Sequence, residues 1–89
     1  MFRIETEIDG PRTILRLIGR VRSDCIGEIR QRIQTQASFI VLDLAEVALV
    51  DLQSVRFLRH CQDQNIELRN CPPYVQEWIR RERIEGLKH

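Results

Sequence analysis

The sequence predicts an α/β fold: a single domain built on a mixed β-sheet of four to five strands, with an N-terminal hairpin and three helices packed on it. Three observations support this. The first residues alternate strictly between apolar and charged. A nearly unbroken apolar run, Phe39 to Leu44, lies mid-chain and leads through an acid directly into a helix. Strand patterns and helix patterns then alternate to the end, as they do when helices pack on a sheet. A chain of 89 residues makes one core, burying only about 60 to 65 % of its unfolded surface, so a deep enclosed active site is not expected.

Taken in order, Phe2, Ile4, Thr6 and Ile8 alternate with Arg3, Glu5, Glu7 and Asp9, the period of a strand with one face in water. Asp9-Gly10-Pro11-Arg12 is turn chemistry, and Thr13 to Gly19 reads as the partner strand. Ser23 is suited to cap a helix carrying Ile26, Ile29 and Ile33 on one face. Phe39, Ile40, Val41, Leu42 and Leu44 form the kind of run found where both faces of a strand are covered, with Asp43 its one polar member. Val47 to Val50 is a second, shorter apolar run. Asp51 then stands at a helix N-cap. In the helix that follows, Leu52, Val55, Leu58 and Cys61 mark an inner face and Arg56, His60 and Asp63 an outer one. Asn65 suits a left-handed stop. Ile66 to Arg69 is a short strand, Pro73 fits the first position of a last helix, and Val75, Trp78 and Ile79 give that helix its inner face.

The order of these parts resembles the STAS family, the anti-sigma factor antagonist domains. The resemblance rests on VLDL at 41–44, the short apolar run, Asp51 and the immediate helix. LRLIGRV at 15–21 looks like the family's second strand, and IELRNCPP at 66–73 like its last strand entering a final helix. Together these span nearly the whole chain. The family's junction pattern is Asp-Ser-Ser-Gly and an apolar residue, the second serine taking a phosphate. This chain has Asp51, Leu52, Gln53, Ser54 and Val55, so the acceptor position holds Gln53, which has no hydroxyl. Ser54 is a displaced acceptor at best, since one helical step turns a side chain by about 100°.

The resemblance implies a non-catalytic, protein-binding regulatory module acting in bacterial transcription or signalling control, without the serine phospho-switch. The implied partner is an anti-sigma factor with a kinase-type ATP-binding fold, and the expected binding surface comprises Asp51, Gln53, Ser54, Arg56 and His60. An accessory subunit of a membrane transporter or of a sensory assembly is the alternative the family offers.

The remaining chemistry narrows the choice. Asp43 and Asp51 are the acids to test as an acid and base pair, but the segment has no nucleophile beside a base. His60 and Cys61 are helix neighbours about 100° apart and cannot easily share a metal. Cys25, Cys61 and Cys71 are odd in number with no C-x-x-C pair, which argues against a disulfide framework and a structural zinc site and fits a reducing cytoplasm. The formal net charge of +1 gives no field that would gather nucleic acid or an anionic membrane. Thirteen of the fourteen basic residues are arginine. Arg80, Arg81 and Arg83 cluster on the last helix, with Glu77 placed to pair with Arg81, and read as a solvated face. No glycine-rich phosphate loop argues for a nucleotide-binding enzyme, and no apolar stretch approaches the roughly 20 residues that span a bilayer. No cofactor, metal or catalytic residue is expected.

Overall fold

A computed structural model of the chain describes residues 1–36 and 39–87; His89 lies outside the described residues. Four strands form one mixed sheet in the order β1 (Phe2–Asp9), β2 (Arg12–Val21), β3 (Phe39–Val50) and β4 (Glu67–Arg69). β1 and β2 are antiparallel, while β2, β3 and β4 run parallel. The helices are α1 (Ile26–Gln34), α2 (Leu52–Asp63) and α3 (Pro73–Leu87), with a 3₁₀ turn at Ser23–Cys25 before α1.

The hairpin closes through Gly10 and Pro11, Asp9 pairing with Arg12. Gly10 has φ +60, the first position of a type II′ turn, whose twist suits the two strands. At the other end of the hairpin, Gly19 takes φ +97. A Cβ there would stand 2.1 Å from the Met1 carbonyl oxygen, which accepts from Arg20 N–H at 3.0 Å. Only glycine allows the N-terminus to cross so closely.

β3 is one strand of twelve residues, so the two apolar runs at 39–44 and 47–50 are continuous in space. What separates them is irregular pairing: its register with β2 shifts between Arg16 and Ile18 and again between Gly19 and Arg20. These bulges add residues to β3 and increase its twist. The core lies on one side of the sheet, where Leu15, Leu17, Ile40, Leu42 and Leu44 meet Ile29 of α1, Val55, Leu58 and Cys61 of α2, and Val75 and Ile79 of α3. Ile14 and Val41 are also buried, at 4% and 2% exposed, but stand outside that cluster. They pair with each other on the opposite face, on which no helix packs among the described residues. Residues 40–44 are buried on both faces, as their apolar run predicts, and only Phe39 is exposed; the helices account for the cover on one face alone.

Further corrections concern local detail. Leu52, expected inside, is 37% exposed, because α2 is turned to bury Ser54, Val55, Phe57, Leu58 and Cys61. Phe57, which sequence reading missed, holds the inner position, and Arg30 of α1 lies over its ring at 5.5 Å. Ser23 does not cap α1; it lies in the 3₁₀ turn, and no side-chain cap precedes either the turn or α1. On β1 only Ile4 is buried, whereas Ile8 is 68% exposed, since the hairpin tip extends past the helices. Asn65 does end α2, at φ +65, with Ile66 N–H bonded to Cys61 C=O and Asn65 N–H to Gln62 C=O, the two bonds of a Schellman cap.

Candidate functional site

β2 and β3 both end, at Val21 and Val50, on the edge where parallel strands present their carboxyl ends, the place where open α/β sheets bind ligands. Asp51 organises this edge. Its Oδ1 accepts from Ser54 N–H at 2.9 Å and its Oδ2 from Ser23 N–H at 2.8 Å. The first bond caps α2 as its sequence position predicts; the second ties the β2–α1 connection to the same carboxylate. Partial burial pushes the Asp51 carboxyl up in pKa, but the neighbouring Ser54 hydroxyl and the Ser54 and Ser23 amides outweigh it, leaving it below the ordinary carboxylate range. A carboxylate so held is a structural acceptor, unsuited to carry protons near neutral pH.

Around Asp51 the five expected surface residues separate. Gln53 is exposed at the second position of α2, and Arg56 and His60 are exposed farther along it. Ser54 is not: it is fully buried, and its Oγ has no hydrogen-bond partner of good geometry. The helical step from Gln53 to Ser54 turns the side chain into the core, so Ser54 offers no surface to a partner or a kinase. Arg56 is committed to α3, its Nε 2.9 Å from Glu82 Oε1. The apolar contribution to this edge, missed in the sequence, comes from Leu49 at 49% exposed and Leu52 at 37%. Leu52 was expected on the inner face of α2; the period of α2 about Phe57 is the clue that it faces out.

Asp43 belongs to a different place. Its Oδ1 accepts from Ala45 N–H at 3.0 Å and Asn70 Nδ2 at 3.2 Å, and Arg16 Nε lies 3.6 Å from Oδ2. Burial raises its pKa, but the Ala45 amide, Asn70 and Arg16 together hold it below its usual value. Asn70 adopts φ +56 to make this contact. At about 3.3 Å per strand residue, Asp43 and Asp51 stand on the order of 20 Å apart, so they do not form an acid and base pair.

The other expected groups lie apart as well. Cys61 is buried and its thiol is pushed up to about 12 by desolvation, which leaves it protonated and inert near neutral pH; His60 beside it points outward. Among the described residues no group of three or more His, Cys, Asp or Glu side chains could hold a metal ion, and no helix is long and apolar enough to cross a membrane. Glu77 binds both Arg80, at 2.6 Å, and Arg81, at 3.1 Å, while Arg83 reaches Asp63 at 2.7 Å and Gln62 at 2.8 Å on α2. The basic cluster of α3 is thus divided between its own acid and the neighbouring helix.

No family model matches the chain, and no curated protein matches it. Among solved structures, one described as a crystal structure analysis of Mglu aligns with 78% of this chain at 22% identity and a TM-score of 0.62. The match spans 19% of that chain's length. At that identity the likeness establishes the α/β fold and nothing of the activity.

Proposed function

We propose that this chain is a STAS-type regulatory module that works by binding another protein and carries no serine phospho-switch. The observation that supports this most is the junction at the end of β3. Asp51 fixes the start of α2, Gln53 stands exposed where the family's acceptor serine would be, and Ser54 is buried behind it. Exposed Leu49 and Leu52 provide an apolar contact beside a polar rim of Gln53, Arg56 and His60, the composition of a small protein-binding patch. Phosphorylation regulates such a surface by adding about −1.5 to −2 charges to it, and no exposed hydroxyl occupies that position here.

In this reading the module acts in the bacterial cytoplasm, in transcription or signalling control. Its partner is an anti-sigma factor with a kinase-type ATP-binding fold, bound constitutively or as the partner's supply allows. Recovery of the protein from its host, with identification of what accompanies it and an intact-mass measurement, tests this. A regulatory protein partner and an unmodified mass are expected. A transporter or sensory-complex subunit as the stable companion would instead establish the accessory-subunit role. A phosphate on the chain, lost in Ser54→Ala, would contradict the absence of the switch.

A further inference from the structure

The helix-free face of the sheet bears an ordered pattern of charge. Pairing registers place Glu5, Arg16, Asp43 and Arg69 side by side across the four strands, one from each. The row reads negative, positive, negative, positive. Read in reverse it is its own complement. One pairing step away lies the apolar pair Ile14 and Val41, flanked by Glu7 and Glu67. One step beyond, Arg12 pairs with Phe39, which is 74% exposed.

We propose that this face is the interface of a homodimer whose two-fold axis runs along the strands, between β2 and β3. A rotation of that kind lays each row on the same row of the second copy with its order reversed. Glu5 then meets Arg69 of the second copy, and Arg16 meets its Asp43, each contact occurring twice. Ile14 and Val41, already buried within each copy, add little area across the axis, while Phe39 stacks on the second copy's Arg12, a guanidinium with no ion pair of its own among the described residues. The one like-charge opposition, Glu7 against Glu67, falls at the rim, where water and salt screen it. Strands of the two sheets stay roughly aligned, as in face-to-face packing generally.

The size suffices for a reversible association. With strands about 4.8 Å apart and outward residues about 6.8 Å apart along each strand, the face measures about 20 by 25 Å. Pairing two such faces buries on the order of 1,000 Å² in total, the lower end of specific interfaces. Few apolar groups lie at its centre, so the dimer is held largely by charge and weakens as salt is added.

Sedimentation velocity on the full chain from about 1 μM to about 1 mM tests the proposal, with the variants Glu5→Arg and Arg69→Glu alone and mixed. Both positions are solvent-accessible, and circular dichroism checks that each variant remains folded. Wild type is expected to pass from monomer to dimer within that range. Each variant alone sets like charges against each other at two contacts and should dimerise at least about tenfold more weakly. An equimolar mixture of the two restores opposite charges at both contacts in a heterodimer, and should regain the wild-type association. A wild type that stays monomeric throughout, variants that dimerise like wild type, or a mixture that fails to associate would each overturn the proposed interface.

Discussion

Asp51 joins two chain connections through one carboxylate, which makes it the residue on which the candidate site depends. Asp51→Ala should lower unfolding free energy in urea by about 1–2 kcal/mol, the scale of a lost N-cap, whereas Asp51→Asn, also a good cap, should lose less than half of that. Equal losses would mean that the Ser23 contact, which needs both oxygens as acceptors, dominates. Gly19→Ala should destabilise by about 2 kcal/mol or more, since φ +97 strains any L side chain and the Met1 carbonyl blocks its Cβ. Asp43 and Asp51 both hold depressed pKa values, so each adds stability that is fully present above about pH 5 and lost as pH falls through about 4 and below. In Asp43→Asn the acid side of the stability curve should flatten, with a smaller loss between pH 5 and pH 3 than in wild type. The cap at Asp51 was legible in the sequence because capping is local: an acid, then a helix. The Ser23 amide was not, because nothing in the spacing of 23 and 51 places two loops side by side.

At the scale of elements, α2 shows how a correct helix can carry a misread face. Leu52, Val55, Leu58 and Cys61 fit a helical stripe, yet the bulky Phe57 competes for the core and turns the helix so that Leu52 comes out and Ser54 goes in. Burial free energy decides this, since an aromatic ring buries more apolar area than a leucine. Phe57→Ala should therefore cost about 3–4 kcal/mol by calorimetry or urea. Leu52→Asp should change stability by less than about 0.5 kcal/mol, its charge sitting at a helix N-terminus that tolerates an anion. A large loss in Leu52→Asp would show that this side chain is packed after all. β3 was legible as two apolar runs and not as one strand, because a bulge leaves no sign in composition beyond Ala45 and Glu46 interrupting the pattern. The αL stop at Asn65 and the Pro73 start of α3 were readable, being written in single residues of restricted conformation.

For the molecule as a whole, the hairpin, the mixed sheet and the helices following β2, β3 and β4 were all legible from the sequence. The one-sided layering was not. Ile14 and Val41 are apolar and buried, and only the register shows that they share a face with Glu5, Arg16, Asp43 and Arg69 rather than with the helices. The site at the end of β3 and that face are separate surfaces, so partner binding and self-association can be tested apart. The most direct measurement of the central claim is calorimetric titration of the recovered protein partner into wild type, Gln53→Asp and Leu52→Asp. The account predicts binding by unmodified wild type and a loss of about tenfold or more, about 1.4 kcal/mol, in each variant with the fold intact. Equal affinity in all three would contradict the placement of the binding surface at the start of α2.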